Sequence, residues 1–178
     1  INGATEGSGV LSASECFGGT DAGEDVYRLT MPAPVAPAVG VDLVAELGIV
    51  TTFDAVLYAR SSCGGPDTEL ACNDAYGDGG DRIVVNDVAG VIDLVVDGYS
   101  SEGIGEYQLL LSARSVMPVA APCDPEGIAS RCATGSICLV TDGKGACATA
   151  SEHEPNGELA VAEGPFDVDF TVIGEIHP

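Results

Sequence analysis

Four oxygen-bearing side chains flank a glycine-rich turn near the middle of the chain. They lie within nine residues of one another, directly after Cys72, and are Asn73, Asp74, Asp78 and Asp81. Calcium takes six to eight oxygen ligands from carboxylates, amides and carbonyls and tolerates irregular loops, whereas magnesium takes fewer protein ligands in a stricter geometry. The spacing is not that of an EF-hand, because no bidentate Glu follows at the required position. The turn therefore predicts a calcium site, and a solvated polar turn is the alternative with the same composition.

The sequence offers little for catalysis. Its two histidines, His153 and His177, both lie in the C-terminal segment, and neither a G-x-S-x-G nor an H-E-x-x-H motif is present. Cys16 has no base near it in the sequence. A carboxylate pair for glycoside hydrolysis could be drawn from any of the 28 acidic residues, so such a pair carries no information. We expect a binding or structural protein, not an enzyme.

Composition limits the possible fold classes and the classes of binding partner. The chain has 178 residues, 46% of them hydrophobic, which suffices for one domain with a core and a small appendage. Its 24 glycines and 10 prolines argue against a helical protein. A formal charge of −22 excludes nucleic acid as a partner and disfavours anionic membranes. So much like charge is self-repulsive, and either solvated loops or bound cations can relieve it.

The seven cysteines indicate disulfides. Cys63 and Cys72 bracket a loop and are predicted to pair, whereas Cys16 is left over, either buried or available for an intermolecular bridge. A C-x8-C-x5-C-x8-C set is predicted to form two disulfides in any of three connectivities; its members are Cys123, Cys132, Cys138 and Cys147. Zinc is disfavoured because tight C-x-x-C pairs are absent and neither histidine lies among the cysteines.

Disulfides also indicate the compartment, since they persist in oxidising surroundings. No signal peptide or transmembrane run is present, and the chain starts at Ile1 as a processed mature chain would. We expect an exported protein without membrane insertion, located outside the cell or at its surface.

The elements that must position these residues are short strands. Apolar runs bounded by Gly, Asp and Asn predict antiparallel strands over residues 56–58, 83–85, 91–96 and 107–111. Further strands are expected over 26–29 and 41–47, with a short strand at most in 1–20 and a proline-rich crossing over 31–37. Acids at strand ends, Asp54, Asp93 and Asp97, are assigned to solvation or turn capping. The prediction is an all-β, antiparallel β-sandwich over residues 1–117.

Two smaller parts follow the sandwich. Residues 118–150 are a four-cysteine module with too few apolar residues to fold without its disulfides. Residues 151–178 are an acidic linker and a strand, in which Phe166, Val168, Phe170 and Val172 alternate with polar residues and Ile176 follows. From residue 166 to 176 the strand would span roughly 36 Å. An isolated strand is unstable in water, so it must pair with residues 1–115 of its own chain or with another chain.

The segments FDAVLYARSSCG, ELACNDAYGDGGDR, VVDGY and GEYQLLL, in this order, resemble the bacterial pre-peptidase C-terminal (PPC) domain. The resemblance covers roughly residues 15–113. It implies a small jelly-roll-like β-sandwich of the kind found in secreted proteins.

The segment SEHEPN resembles the acidic lead-in to such a domain. In the related collagen-binding domains of bacterial collagenases a Glu-x-Glu-x-Asn run supplies calcium ligands, which implies that role for Glu152, Glu154 and Asn156. The family pattern adds acids at a following strand start, here Asp21, Glu24 and Asp25, contributed by a neighbour. The lead-in and first strand stand at the end of this chain, as in a permuted sandwich. Either the chain is a fragment of a longer protein, or its tail completes the next subunit.

Three functional hypotheses follow. The first is a secreted, calcium-binding structural protein that forms a homopolymeric filament by donating its C-terminal strand, with the subunit interface at Phe166, Val168, Phe170, Val172 and Ile176. The second is an accessory binding domain of a larger secreted hydrolase or surface protein, with extracellular matrix protein or polysaccharide as partner. In the third, the tail folds back onto its own chain.

Overall fold

A computed structural model of the chain describes residues 1–6, 9, 11–12, 14–16, 22–48, 51–63, 65–74 and 80–149. Within these ranges the chain is all-β, as predicted, with eleven strands and one 3-10 turn, Pro66–Thr68. No helix in this part is long and apolar enough to cross a membrane. The chain divides into two compact units, Ile1–Ala33 with Val41–Ala113, and Pro34–Gly40 with Arg114–Pro178. The division falls four residues before the predicted boundary and assigns part of the proline-rich crossing to the second unit.

Two sheets form the first unit: one has four antiparallel strands, and the other has four antiparallel strands and a fifth, Ser130–Cys132 of the second unit, paired in parallel with residues 115–117. Their other strands are β1 (Asn2–Thr5), β2 (Glu24–Thr30), β3 (Gly40–Leu47), β4 (Ala55–Arg60), β5 (Glu69–Asn73), β6 (Arg82–Val85), β7 (Val91–Gly98) and β8 (Gly105–Met117). The first sheet has the order β1-β8-β3-β6 and the second the order β2-β7-β4-β5. Neither sheet closes on itself, so each keeps two edge strands. The six predicted strands lie within β2, β3, β4, β6, β7 and β8.

The core lies between the two sheets and explains the apolar alternation. Buried inward-facing residues come from both sheets and include Leu43, Ala45, Leu47, Ile83, Val85, Tyr107, Leu109, Leu57, Ile92, Leu94 and Val96. In the second sheet the outward faces of β4 and β7 are buried as well, around Val56, Tyr58 and Val95. This second layer explains why β4 (AVLYAR) and most of β7 (VIDLVVDG) carry apolar residues on both faces. The arrangement is a β-sandwich with an additional covered face.

In the first unit one strand was not predicted. The residues between Cys63 and Cys72 were assigned to a loop, but Glu69–Asn73 forms β5 and pairs with β4. Its sequence, ELACN, contains no β-branched or aromatic residue, so local propensity does not reveal it. Pairing with the neighbouring strand decides its conformation.

The second unit is built on short strands and disulfides. Its strands are β9 (Ser130–Cys132), β10 (Ser136–Thr141) and β11 (Lys144–Thr149). β10 and β11 form a hairpin whose turn residues, Asp142 and Gly143, both have positive φ angles, 52° and 74°, as an Asp-Gly turn of this kind requires. Bridges Cys123–Cys138 and Cys132–Cys147 hold the unit. The two predicted disulfides are therefore present, and the structure selects one of the three connectivities left open by the sequence.

Candidate functional site

The predicted calcium loop joins an edge strand of one sheet to an edge strand of the other. β5 ends at Asn73 and β6 begins at Arg82, and the two strands pack against each other. Asn73 is paired with Leu57 and therefore faces the core side of its sheet. Its Oδ1 atom is buried and has no hydrogen-bond partner among the described residues. Because buried polar atoms are almost always hydrogen-bonded, this oxygen is an acceptor that a bound cation would satisfy.

Electrostatics next to Asn73 favour a cation as well. Partial burial raises the pKa of Asp74, and the charge of Asp54 raises it further. A positive ion beside these carboxylates would offset both effects. Asp54, which immediately precedes β4 and was assigned to solvation or capping, therefore joins the candidate site. Its signal in the sequence was only its position at a strand start.

The remaining predicted ligands of this loop differ in status. Asp81 immediately precedes β6 and is fully buried, and its backbone carbonyl accepts a 2.8 Å hydrogen bond from the Leu47 amide. Asp78 lies outside the described residues. In the described ranges, groups of three potential metal ligands among His, Cys, Asp and Glu include only sets with disulfide-bonded cysteines, whose sulfurs are not thiolates. The loop thus offers oxygen ligands on its two described flanks.

The second predicted ligand set is divided by the structure. Glu24 and Asp25 are consecutive in β2, so their side chains point to opposite faces of the sheet. Glu24 Oε1 accepts the Leu11 amide at 2.9 Å on the outward face. Asp25 accepts a hydrogen bond from the Tyr107 hydroxyl, which also bonds the Tyr27 hydroxyl. The two acids therefore lie on opposite faces of β2, and their predicted role as calcium ligands stays a prediction.

The other members of that set and the tail residues are not described. Asp21, Glu152, Glu154 and Asn156 lie outside the described residues, as do Phe166, Val168, Phe170, Val172 and Ile176. Their predicted roles as calcium ligands and as subunit interface stay predictions.

The pairing predicted for Cys63 is wrong. Cys72 is bonded to Cys16 with a Cα–Cα distance of 6.0 Å, and Cys63 is a free thiol. Cys72 lies opposite Tyr58 in the β4–β5 pair. Tyr58 precedes Cys63 by five residues along the chain. That spacing carries Cys63 away from Cys72, whereas a disulfide requires Cα atoms within about 7 Å. The bridge instead ties the N-terminal segment to the outward face of the second sheet.

Beneath that segment lies a fully buried arginine. Arg60 Nη2 donates a 2.8 Å hydrogen bond to the Ser12 carbonyl, and the guanidinium lies 4.6 Å from the centre of the Tyr58 ring. The Glu69 carboxylate approaches Arg60 to 3.7 Å and also accepts hydrogen bonds from Ser14 Oγ and the Glu15 amide. Ser12, Ser14 and Glu15 are thus held by a charge pair shielded from water. The sequence signal for this buried arginine was its position as the last residue of an apolar strand, AVLYAR.

A second charged group lies on the same face. Arg28 donates to both carboxylate oxygens of Asp93, at 2.8 and 3.0 Å, and this pairing holds the Asp93 pKa below its usual range. The Cys63 thiol donates to Asp93 Oδ2 at 3.0 Å, and the bond raises the pKa of the thiol. A thiol kept protonated is a weaker nucleophile and a weaker metal ligand. Cys63 therefore acts as a hydrogen-bond donor in this arrangement.

Asp97 and Glu24 form a cross-strand pair of acids on the outward face. Asp97 is buried; it accepts the Gly98 amide at 2.7 Å and the Tyr58 hydroxyl at 3.4 Å, with Arg60 also near. Burial is the main cause that raises the pKa of Asp97 to about 6, and the charge of Glu24 adds to it. In the folded state Asp97 thus holds its proton over a pH range in which the unfolded chain has lost it. Its contribution to stability falls as pH rises from about 4 to about 6.

We expect Asp97→Asn to stabilise the protein at pH 7 by about 1–2 kcal/mol, because the amide carries no charge to desolvate. At pH 4 the variant and the parent should be equally stable. Urea unfolding at pH 4, 5, 6 and 7 measures the difference, with the exposed Asp142→Asn as control. A difference that is constant across this pH range would contradict the burial of an ionised Asp97.

No protein-family model, no curated protein and no solved structure matches this chain. The resemblance to the PPC domain therefore stays a prediction from the sequence motifs.

Proposed function

We propose that this protein is an extracellular, calcium-binding structural subunit that assembles head to tail, each copy donating its C-terminal strand to the next. The observation that carries the proposal is the edge of the first sheet at β1. This strand has four residues, of which only Thr5 is buried, and it pairs with residues 105–108 of the 13-residue β8, whose residues 115–117 pair with β9. An extended segment gains backbone hydrogen bonds and side-chain pockets when it is added to such an edge.

The sequence supplies a segment suited to that role. Residues 166–172 alternate Phe, Val, Phe and Val with polar residues, the pattern of a strand with one buried face. A contact between this segment and a sheet edge elsewhere on the next copy is heterologous, so it extends into a filament unless it closes into a ring. The resemblance to PPC domains supports a secreted sandwich as the building block.

Two physical features of the chain favour calcium binding. The chain carries a net charge of −22, which disfavours the close approach of copies unless cations offset it. On the loop between β5 and β6, the Asn73 oxygen, which has no hydrogen-bond partner among the described residues, and the raised pKa of Asp74 both favour a nearby positive ion. Three disulfides indicate an oxidising environment, and the extracellular space is one in which calcium is available to fill such a site.

We expect calcium to stabilise the protein by about 2–3 kcal/mol at 100 times its dissociation constant. Asp74→Asn should weaken calcium binding by about tenfold, which corresponds to about 1.4 kcal/mol. Isothermal titration calorimetry gives the affinity, and the melting temperature with and without EGTA gives the stabilisation. The exposed Glu126→Gln in the second unit is the matched control. An affinity in Asp74→Asn equal to that of the control would exclude the β5–β6 loop.

We expect Phe170→Asp to abolish assembly, because a carboxylate replaces one of the buried apolar side chains of the donated strand. Thr171→Asp, which adds the same charge on the opposite face of the strand, should still assemble. Electron microscopy and light scattering on the purified variants measure this. Filaments from Phe170→Asp would overturn the donation mechanism.

A second candidate is an accessory binding domain cut from a larger secreted hydrolase or surface protein, with protein or polysaccharide as its partner. It is favoured by the division into two compact units, each with its own disulfides, an organisation typical of modular extracellular proteins. The mass of the native protein separates the candidates. A mass near 17.9 kDa supports the free subunit, and a much larger mass supports the accessory domain.

A further inference from the structure

The position of β1 beside β8 imposes a strict requirement on one residue. In this pair Gly3 lies opposite Tyr107. The Tyr107 side chain is buried, and its hydroxyl is hydrogen-bonded to Asp25 and Tyr27. A Cβ atom at Gly3 would overlap the Tyr107 hydroxyl and lie 2.5 Å from Cζ of its ring. Any strand in this place must therefore have glycine opposite Tyr107, or Tyr107 must move and lose its buried hydrogen bonds.

The C-terminal segment meets this requirement. Residues 172–176 read Val-Ile-Gly-Glu-Ile, and residues 1–5 read Ile-Asn-Gly-Ala-Thr. Aligned on Gly3 and Gly174, the core-facing positions are Ile1, Gly3 and Thr5 in one segment and Val172, Gly174 and Ile176 in the other. Both segments have an apolar residue two positions before the glycine, and the tail has isoleucine at the position of the buried Thr5. The two segments thus share a pattern that fits one place in the sheet.

The tail is the better strand of the two. Asn, Gly and Ala are all depleted in strands, whereas Val and Ile are enriched. Upstream of Val172 the same alternation continues, and in the β1 register Phe170 would lie opposite Leu111, which packs only partly buried against the core. Val168 would lie opposite Ala113. The longer segment would therefore cover apolar surface that residues 1–5 do not reach.

We propose that the place of β1 beside β8 is the acceptor site for residues 168–176 of a second copy, which displace residues 1–5. The register is Val172 opposite Leu109, Gly174 opposite Tyr107 and Ile176 opposite Gly105. This inference rests on the proposed function, because it names where the donated strand binds. One pair opposes it: Glu175 takes the place of Ala4 opposite Glu106, and like charges directly opposite destabilise a sheet.

Cysteine crosslinking tests the register. Asn2 and Gln108 lie opposite each other, next to the pair Ile1 and Leu109, which exchange both backbone hydrogen bonds. The pair at Gln108 is therefore a non-hydrogen-bonded one, whose side chains are close enough for a disulfide. In a Cys63→Ser background, Gln108→Cys with Ile173→Cys should give a ladder of covalent oligomers on a non-reducing gel. Gln108→Cys with Thr171→Cys, two residues out of register, should not.

Two variants of the tail test the glycine directly. Gly174→Val should raise the protein concentration needed for assembly by about tenfold or more, because its side chain meets Tyr107. The neighbouring Glu175→Ala should assemble at least as readily as the parent, because it removes the carboxylate opposite Glu106. Light scattering over a concentration series, with near-UV circular dichroism to verify folding, gives both values.

The outcomes separate this inference from the function on which it rests. The predicted ladder together with impaired Gly174→Val supports the β1 site. If the Cys63→Ser parent forms filaments but the ladder is missing and Gly174→Val assembles normally, the acceptor site is wrong and strand donation survives. A crosslink that closes within one chain overturns exchange between copies. If the parent does not assemble at any concentration, the proposed function fails and this inference fails with it.

Discussion

Replacing Cys16 and Cys72 by serine is expected to lower the free energy of unfolding by about 4 kcal/mol. The bridge joins residues 56 positions apart. Its loss releases a long loop in the unfolded chain and therefore raises the conformational entropy of the unfolded state. In the folded state the bridge also ties the segment over Arg60 to β5. Urea unfolding of the double variant, compared with the parent under oxidising conditions, gives the difference.

Cys63→Ser is the matched control for this experiment. Cys63 is a free thiol that donates a hydrogen bond to Asp93, and serine keeps a donor, so we expect a change below about 1 kcal/mol. The alternative pairing, Cys63 with Cys72, predicts the opposite result at these positions. A large loss in Cys63→Ser together with a small loss in Cys16→Ser would show that the structure assigns the wrong partner to Cys72.

Arg60→Met is expected to lower the free energy of unfolding by about 3–5 kcal/mol. The Arg60 side chain is fully buried and the side chain of Glu69 is only 5% exposed, so removing the cation leaves a carboxylate without its countercharge away from water. The Ser12 carbonyl also loses its donor. Glu69→Gln in the Arg60→Met background should recover part of the loss, because the amide keeps an acceptor for Ser14 and the Glu15 amide without a charge. Denaturant unfolding of the two single variants and the double variant forms the cycle.

The chain provides an exposed pair as control. Arg82 and Glu46 approach to 3.8 Å with about half of each side chain exposed, and Arg82→Met should cost less than about 1 kcal/mol. Equal effects of Arg60→Met and Arg82→Met would mean that water reaches Arg60 and that Ser12, Ser14 and Glu15 do not shield it. Hydrogen exchange of the β4 amides would then be fast as well.

Short-range patterns predicted most of the fold. The strands β2, β3, β4, β6, β7 and β8 were found because apolar residues alternate or run continuously between Gly, Asp and Asn, and burial on one or both faces imposes that pattern. β5 was missed because ELACN has no such pattern, and its conformation depends on β4 beside it. The two disulfides of the second unit were predicted, but their connectivity was not, because spacing alone does not specify which cysteines meet.

For the candidate site, the sequence analysis named residues that lie close together along the chain and omitted one that packing brings near them. Asn73, Asp74, Asp78 and Asp81 were predicted as ligands because oxygen-bearing side chains clustered in a turn are visible along the chain. Asp54 was set aside because its proximity to Asp74 arises from the packing of separate strands. Glu24 and Asp25 were grouped because they are adjacent in sequence, yet the period of two in a strand separates them onto opposite faces.

By itself the sequence determined the all-β class, the excess of acidic residues and the positions of most strands, and its cysteines indicated an oxidising environment. These properties depend on composition and on the alternation of apolar and polar residues along a strand, both of which can be read from short segments of sequence. Only the tertiary structure decided that Cys16 is the partner of Cys72, that Arg60 is sealed with Glu69, and that Gly3 must leave room for Tyr107. Each of these joins residues many positions apart, and the physical reason is the same: a contact between distant segments depends on strand order and register, which no local pattern encodes.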